Sequence, residues 1–235
     1  DRQIREKGGN TYTNTSVSQI LTQGNRATGF RIDWADGTHT EERFDVMIAT
    51  VPSFALPRLV DLPNDYREKL QDVEYEGAIA VIWVLKRSLT PIYWLNISDP
   101  EIDFLLVLEQ TNLVPSSEYG GKHIIYTANY VTRDDRRWDL DAEQIMTDYL
   151  PHLKKINPDF DETWIEAYYV HKEPAAQPIM KVNYLERMAS PRTPIEGLWL
   201  ASMSQVYPQD RGTNYSIRLG IEVARRAIEE AKDRE

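Results

Sequence analysis

The sequence of 235 residues contains no cysteine. This absence excludes disulfide bonds, thiolate metal sites and cysteine nucleophiles, and it is typical of the reducing cytoplasm, where we expect the protein to act. Long apolar runs are also lacking: the longest covers residues 78–85, well short of the roughly 18 residues that a membrane-spanning helix needs. The sequence therefore predicts no membrane-spanning segment.

Positive charge is scarce. Lysine and arginine together number 27 and aspartate and glutamate 37, so the formal net charge is −10. Phosphate backbones are bound by clustered basic side chains, and no basic run with interleaved aromatic residues occurs here. We expect a small-molecule substrate and no nucleic-acid partner.

Three motifs of phosphate binding and nucleophilic catalysis are missing. The chain has no P-loop, no G-x-G-x-x-G and no G-x-S-x-G. Its four histidines, at positions 39, 123, 152 and 171, are scattered and show no metal-ligand spacing. Acidic clusters such as residues 134–143 are typical of solvated surface and helix starts. The residues alone name no catalytic group and predict no metal site.

Turn signals divide the first part of the chain into short strands. Residues 23–26, QGNR, and the pair Asp36-Gly37 predict two hairpins, because glycine and asparagine tolerate positive φ. An apolar run at residues 46–49 follows and predicts a strand buried on both faces. We expect a three-stranded meander and then a buried strand that ends at Pro52.

The middle of the chain is rich in strands. Residues 64–73 predict a short helix with Asn64 as its N-cap. Four runs of β-branched and aromatic residues predict strands, at residues 78–86, 103–112, 123–131 and 163–172. Residues 141–156 predict an amphipathic helix that Pro151 should kink or split.

The chain closes with a strand at residues 198–202, a polar loop and a helix. Apolar residues recur in this helix at helical spacing, at Ile217, Ile221, Ala224 and Ile228. Free N–H groups at its start can bind an electron-rich ligand. Thr213 or Asn214 can equally cap the helix with no ligand present, so both interpretations remain open.

The order of elements predicts an α+β fold in two parts. Residues 1–60 and 191–235 are expected to pack together, and residues 61–190 to form an inserted domain with a mixed or antiparallel sheet and helices.

Two segments carry a family resemblance. Residues 15–52, with the D-G turn and the strand FDVMIATVP, and the tail GLWLASM…DRGTNYSIRLG resemble the flavin domain of amine-oxidase-like flavoproteins. Within that superfamily the chain is most similar to protoporphyrinogen-oxidase-like and phytoene-desaturase-like members, with UDP-galactopyranose mutase as a relative. The resemblance implies an α/β-like flavin-domain remnant at 1–60 and 191–235, a substrate-binding domain at 61–190, and FAD as cofactor.

The family pattern also implies which residues face FAD. Val17 would present backbone groups to the adenine, and residues 49–52, at the end of the buried strand, would lie along the cofactor. Ser202 and Met203, after the last strand, would approach the ribityl and pyrophosphate region. Residues 212–216, in the last loop and helix start, would face the flavin pyrimidine edge. The implied cofactor-binding residues are Val17, Ala49, Thr50, Val51, Pro52, Ser202, Met203, Gly212, Thr213, Asn214, Tyr215 and Ser216.

Two departures from the family pattern qualify its meaning. The N-terminal G-x-G-x-x-G unit is absent, and the sequence begins with Asp1. The chain is therefore interpreted as the C-terminal part of a longer flavoprotein, inactive by itself, whose missing partner is the N-terminal Rossmann half. Amine-oxidising relatives often carry a lysine where this chain has Ala80, with Lys86 six residues on, which argues against amine oxidation.

Three functions follow as hypotheses. The first is an FAD-dependent dehydrogenase or desaturase, with substrate-pocket candidates Trp94, Tyr126, Tyr130, Tyr168, Tyr169 and Arg211; aromatic residues in strands are otherwise core residues. The second is a redox-neutral mutase of the UDP-galactopyranose mutase type, with Arg192, Arg211 and Arg218 for the diphosphate. The third is a non-catalytic α+β ligand-binding domain.

Overall fold

The computed structural model describes residues 1–210 and 212–232. It contains ten strands and six α-helices in this part of the chain, and none of these helices is long and apolar enough to cross a membrane. In chain order they are α1 (Arg2–Glu6), β1 (Ser16–Gln23), β2 (Arg26–Asp33), β3 (His39–Arg43), β4 (Met47–Ala49), α2 (Leu56–Leu59), α3 (Asn64–Gln71), β5 (Tyr75–Leu85), β6 (Trp94–Asn96), β7 (Leu106–Glu109), β8 (His123–Val131), α4 (Ala142–Ile156), β9 (Ile165–Pro178), α5 (Tyr184–Arg187), β10 (Leu198–Leu200) and α6 (Thr213–Lys232). The predicted α+β class is confirmed.

The chain divides into two compact units, and their boundaries differ from the domain limits expected at residues 60/61 and 190/191. Unit 1 comprises Asp1–Glu74 and Pro178–Glu235, and unit 2 comprises Tyr75–Gln177. Helix α3 belongs to unit 1 because Tyr66 and Leu70 pack into the same core as Ala189. The Tyr66 hydroxyl also donates to the Ser190 carbonyl at 2.7 Å.

The first sheet of unit 1 is the predicted meander. Strands β1, β2 and β3 pair antiparallel in that order, with Gln23 opposite Arg26. Gly24 and Gly37 have φ of 59° and 83° in the two turns, a region open to glycine at little cost. Both predicted hairpins are confirmed.

Helix α3 corrects the predicted cap. Pro63 is the N-cap, and the Arg67 N–H donates to its carbonyl at 2.9 Å. Asn64 is therefore the first helical residue. It does not cap the helix, because the turn closes one residue earlier than predicted.

The second sheet of unit 1 has two parallel strands, β4 and β10, with Ala49 opposite Leu200. Met47 is buried, whereas the Ile48 side chain is 38% exposed. The prediction that this strand is buried on both faces is therefore wrong. In the described part of the chain this sheet has two strands, so β4 has a strand neighbour on one edge.

Helix α6 lies against β10, with Val223 and Ala227 buried beside Trp199. The apolar stripe identified in the sequence is on another side: Ile217, Ile221 and Ile228 are 58%, 52% and 55% exposed. The helix carries two apolar surfaces, and the smaller side chains face the sheet.

Unit 2 is built on a five-stranded sheet of order β6-β7-β8-β5-β9. Alternate residues of β5 are buried along its whole length, since one sheet face packs against α4. The core of this unit comprises Ile79, Val81, Trp83, Leu85, Leu89, Phe104, Val107, Ile125, Val131, Ile145, Tyr149, Leu153 and Phe160. The four predicted strands are confirmed, and the short β6 is an addition.

Helix α4 begins with a capping box at Asp141 and Gln144, with bonds of 2.8 and 2.9 Å. Of the predicted kink or split at Pro151, the split is wrong, because one helix runs through Pro151 to Ile156. Tyr149 and Leu153, on either side of the proline, are fully buried. Their packing compensates for the hydrogen bond that proline cannot donate.

Candidate functional site

The carboxyl ends of β4 and β10 meet at one edge of the parallel pair. The Ala201 N–H donates to the Ala49 carbonyl at 2.8 Å, just where both strands end. Thr50, Val51 and Pro52 continue from β4, and Ser202 and Met203 follow β10. The fold thus joins two predicted cofactor segments that lie about 150 residues apart in the sequence.

An apolar groove of about 400 Å³ runs beside β4 in unit 1. Pockets of roughly 300–1,000 Å³ are typical of small-molecule sites. Val17, Ala49, Thr50 and Val51 line this groove together, so the structure gathers four of the predicted residues on one surface. Pro52 is exposed next to it. The lining is completed by Ile20, Phe30, Phe44, Val46, Met47, Ile48, Leu59 and Leu198.

Two aromatic rings stand in this lining. Phe30 and Phe44 stack with ring centroids 4.7 Å apart and planes inclined by 11°. Gly29, next to Phe30, allows the close approach of β3: a Cβ on Gly29 would lie 2.1 Å from the Glu42 carbonyl oxygen. Glycine is therefore required at this position if β3 is to hold Phe44 against Phe30.

The chemistry of the groove lining suits the rings and ribityl chain of FAD but not its pyrophosphate. Its described lining is hydrocarbon, aromatic and hydroxyl, which suits flat rings and a ribityl chain. Among those residues no charged side chain is available for a pyrophosphate. The diphosphate of FAD would need partners from outside this surface.

The turn after β10 is held rigidly. The Ser202 N–H donates to Gln205 Oε1 at 2.8 Å, and Gln205 Nε2 donates to the Ala189 carbonyl at 3.1 Å. Ser202 is 4% exposed, whereas Met203 is 37% exposed. Backbone placement at Ser202 is thus set by buried bonds, and the Met203 side chain remains accessible.

The start of α6 comes close to this turn. Ser216 Oγ lies 3.5 Å from Met203 Sδ, and the Ser216 N–H donates to the Gly212 carbonyl at 3.0 Å. The N–H groups of Thr213, Asn214 and Tyr215 precede that first helical bond and have no partner within the helix. They carry partial positive charge, which favours an electron-rich ligand edge.

The pocket candidates of unit 2 fall on two faces of its sheet. Trp94 pairs with Leu108, Leu108 with Tyr126, and Tyr126 with Ile82, so these side chains form a row across four strands. This row lies on the face opposite α4, where Tyr130 also lies, two residues after the half-buried Ala128.

Tyr168 and Tyr169 are consecutive residues of β9, so their side chains lie on opposite faces of the sheet. Tyr169 is 56% exposed, whereas Tyr168 packs against the core with its ring 6.2 Å from that of Trp83. Tyr168 is therefore partly buried and packs against the core of unit 2. Arg211 lies outside the described residues.

The position matched to the lysine of amine-oxidising relatives also lies on the row's face. Ala80 is half-buried opposite Ala128. Lys86 follows the end of β5, and its Nζ donates to the Thr163 carbonyl at 2.8 Å. The ammonium group of Lys86 does not substitute for a lysine at position 80.

Sequence reasoning missed several groove residues, namely Phe30, Phe44, Ile48 and Leu59. The sequence contains a local signal for Phe30 alone, namely the glycine that precedes it. Phe44, Ile48 and Leu59 come from three different parts of the chain, and residue spacing within one element does not predict that they line the same groove.

Comparisons with known proteins agree with this architecture. A search of curated proteins finds no match. An oxidoreductase from Methanosarcina mazei is 18% identical, with a TM-score of 0.71 over 95% of this chain and 51% of that one. Reduced UDP-galactopyranose mutase is 13% identical, with a TM-score of 0.69 over 93% and 47%. Wild-type putrescine oxidase bound to putrescine is 18% identical, with a TM-score of 0.69 over 97% and 51%.

At these identities the structural likeness shows the fold, and the chain spans about half the length of each of these proteins. The sequence itself matches the family described as flavin containing amine oxidoreductase over residues 1–228. This match confirms the resemblance to amine-oxidase-like flavoproteins. Since it covers nearly the whole chain, the chain belongs to the flavin-containing amine oxidoreductase family, whose cofactor is a flavin.

Proposed function

We propose that unit 1 is part of an FAD site and that the whole protein is an FAD-dependent dehydrogenase or desaturase. One observation carries the proposal: the groove that gathers Val17 with Ala49, Thr50 and Val51 beside the ends of two parallel strands. Ligands of open α/β sheets bind outside the carboxyl ends of the strands.

Each part of unit 1 has a distinct role in this proposal. Val17 and the end of β4 pack along the apolar parts of the cofactor. The N–H groups of Thr213, Asn214 and Tyr215 face the pyrimidine edge, where they stabilise negative charge. The turn from Ser202 to Gln205 holds the backbone near the ribityl chain.

The diphosphate is assigned to a different part of the protein. Among its described residues the groove offers no cation and the sequence has no G-x-G-x-x-G. A Rossmann half outside this chain would supply the phosphate cradle. The chain by itself is therefore expected to bind FAD weakly and to be inactive.

The substrate is proposed to contact unit 2. The row of Trp94, Leu108, Tyr126 and Ile82 is a wall of aromatic and aliphatic groups, which suits an apolar small molecule. The chemistry that FAD would supply when bound is acceptance of a hydride from a C–C or C–N unit of such a molecule. The side chains of this wall orient the substrate and exclude water, and Ala80 contributes no ionisable group.

A mutase of the UDP-galactopyranose type is the second candidate, favoured by one matching fold. It requires cations for a sugar-nucleotide diphosphate. Arg192 is paired with Glu230 at 2.8 Å, and Arg218 lies over the Tyr215 ring at 5.0 Å. These partners make both arginines poorer diphosphate ligands, so the dehydrogenase is preferred.

Flavin binding in the protein expressed from its complete gene tests the proposal. Val17→Trp fills the groove from an exposed position, and we expect it to weaken FAD binding about tenfold or more, since roughly 1.4 kcal/mol corresponds to that factor. Ser16→Trp is the matched control, because Ser16 is exposed on the same strand and outside the groove lining. Flavin absorbance and fluorescence measure the affinity.

Three results would contradict this assignment. If the protein is colourless and FAD does not raise its melting temperature, the flavin proposal is wrong and the hypothesis of a non-catalytic ligand-binding domain stands. If Val17→Trp and Ser16→Trp weaken FAD binding equally, the groove is not part of the FAD site. Conversion of UDP-galactopyranose that depends on dithionite would identify the mutase.

A further inference from the structure

Unit 2 has a cavity of about 530 Å³ beside the exposed side of α4. Thr147, Pro151 and Lys154 line it from the helix, where intervals of three or four residues place side chains on one face. Residues 160–162, in the turn after α4, form the facing wall. Cavities of roughly 300–1,000 Å³ are typical of small-molecule sites. None of the residues proposed to contact flavin or substrate belongs to this lining, so the cavity is a separate feature of the fold.

Proline within α4 leaves a main-chain acceptor at the cavity wall. Residue 151 of a regular helix would donate its N–H to the Thr147 carbonyl, and Pro151 has no N–H to donate. The Thr147 hydroxyl is already used, because it donates to the Glu143 carbonyl at 2.8 Å. Since Thr147 and Pro151 both line the cavity, the carbonyl between them is available to an N–H donor that enters it.

Two carboxylates stand on the opposite wall. The Thr163 hydroxyl and N–H bond to Asp161 and lower the pKa of its carboxyl, with the N–H at 2.9 Å. The Glu162 side chain is exposed, and it has no hydrogen-bond or ion-pair partner among residues 1–210 and 212–232. Lys154 is the one cation in the lining, so negative charge is in excess. Together with the Thr147 carbonyl, the acceptors of this cavity outnumber its donors.

The floor of the cavity is apolar. Phe160 is 4% exposed and belongs to the core of unit 2, where its ring meets that of Trp164 with centroids 5.8 Å apart. Leu150 is half-buried and packs against the same core. Pro151 adds a third apolar surface. These groups can bury the hydrocarbon part of a ligand whose polar end reaches the acceptors.

We propose that this cavity binds a small organic cation that carries N–H donors on an apolar body: an amidinium, a guanidinium or a primary ammonium. Its N–H groups donate to the Thr147 carbonyl and the Glu162 carboxylate, and its apolar body lies on Leu150 and Phe160. A small anion would meet two carboxylates, and a neutral apolar molecule would leave the acceptors without donors. The site lies outside the proposed flavin site and does not depend on it.

Benzamidinium is the probe that tests the site, in the protein expressed from its complete gene. It has a flat apolar ring and several N–H donors. Its amidine carbon bears no hydrogen, so a flavin cannot oxidise it as it would an amine. Benzamide, of nearly the same shape but neutral, is the matched ligand. Methyl NMR follows the resonances of Leu150 during each titration, and we expect benzamidinium to bind at least about tenfold more tightly than benzamide.

Two substitutions test the acceptors separately. Glu162→Gln removes the charge and keeps the shape, and Asp159→Asn, at an exposed carboxylate outside the lining, is its control. Pro151→Ala supplies an N–H that occupies the Thr147 carbonyl and continues the helix, and Pro158→Ala, at an exposed proline of the next turn, is the control. We expect each of the two cavity variants to weaken benzamidinium binding at least about fivefold, and the controls to leave it unchanged.

Three results would overturn the proposal. The first is equal binding of benzamide and benzamidinium, which would make the cavity an apolar groove without selectivity for charge. The second is an affinity of either cavity variant equal to that of its control. The third is benzamidinium binding that leaves the Leu150 resonances unshifted, which would place the ligand elsewhere on an acidic protein. Pro151→Ala extends a regular helix and Glu162 is exposed, so both variants are expected to fold.

Discussion

The sheets of the two units differ in how far they are completed. In unit 2, β5 and β8 each have a neighbouring strand on both edges. Trp83 of β5 and its partner Ile125 of β8 are fully buried. In unit 1, β4 has one paired edge among residues 1–210 and 212–232, and Ile48 at its centre is 38% exposed.

Hydrogen bonding of polar groups follows the same contrast. Glu109 of unit 2 is fully buried, yet it accepts hydrogen bonds from the Leu89 and Thr90 N–H groups at 3.0 and 2.8 Å. The Ile48 peptide groups of unit 1 meet no strand among the described residues. The central strands of unit 2 are therefore paired on both edges, whereas β4 of unit 1 pairs with a strand on one edge among the described residues.

The largest expected effect is on the core of unit 2. Trp83→Ala removes a fully buried ring and its hydrogen bond to Thr127 Oγ1 at 3.0 Å. We expect a loss of about 3–5 kcal/mol in the free energy of unfolding. Urea unfolding followed by far-UV circular dichroism measures it.

Trp94→Ala is the control for this change, because Trp94 is 53% exposed. Its effect on stability should stay within about 1 kcal/mol. If both tryptophan variants cost the same, the picture of unit 2 as a fully packed sheet fails.

A smaller effect is expected in the meander of unit 1. Gly29→Ala places a Cβ 2.1 Å from the Glu42 carbonyl oxygen, so β2 and β3 must move apart. We expect a destabilisation of about 1–3 kcal/mol. Hydrogen exchange should increase in β2 and β3 and stay unchanged in β5 and β8 if the units fold separately.

The matched glycine change is Gly220→Ala in α6, where an added Cβ meets no atom within 4 Å. Alanine favours a helix interior over glycine, so we expect a gain of about 0.5–1 kcal/mol. Similar losses for both variants would show that the close approach at Gly29 is not what limits substitution.

The smallest of the three expected losses in stability concerns a partly buried ion pair of unit 2. Hydrogen bonds from the Arg137 side chain, the closest at 2.7 Å, lower the pKa of Asp135 from its usual 3.8 to about 2. A carboxylate with a lowered folded pKa stabilises above about pH 4, and the contribution is lost as pH falls toward 2. Asp135→Asn should therefore cost up to about 2 kcal/mol at pH 7.

Urea unfolding of both proteins between pH 7 and pH 2 measures this difference, which should shrink as the pH falls below 4. Asp139→Asn, an exposed neighbour, is the control. A difference that stays constant with pH would assign the effect of Asp135 to its cap on the turn at Arg136–Trp138 and not to its charge.

Local signals were sufficient for much of the fold. The hairpin at Gly24 and the capping box at Asp141 depend on neighbours within a few residues, so the sequence predicts them. The Pro151 split failed, because burial of Tyr149 and Leu153 outweighs a local preference. The sequence predicts an apolar face with Ile217, Ile221 and Ile228, yet the side of α6 that meets the sheet is the one with Val223 and Ala227.

The candidate site depends on contacts that are remote in sequence. The family resemblance named Val17, Ala49 and Ser202, but their grouping in space required the β4–β10 pairing and the turn at Gly29. Phe30 and Phe44 became groove residues only because β3 lies against β2. No periodicity within a single element contains this information.

The α+β class, most of the elements and the resemblance to a flavin family follow from the sequence, because propensity, turn chemistry and motifs are local properties. The pairing of β4 on one edge, the exposure of Ile217, Ile221 and Ile228, and the grouping of the groove residues depend on the folded chain. These follow from which surfaces find a partner, and burial of apolar area is a property of the whole fold.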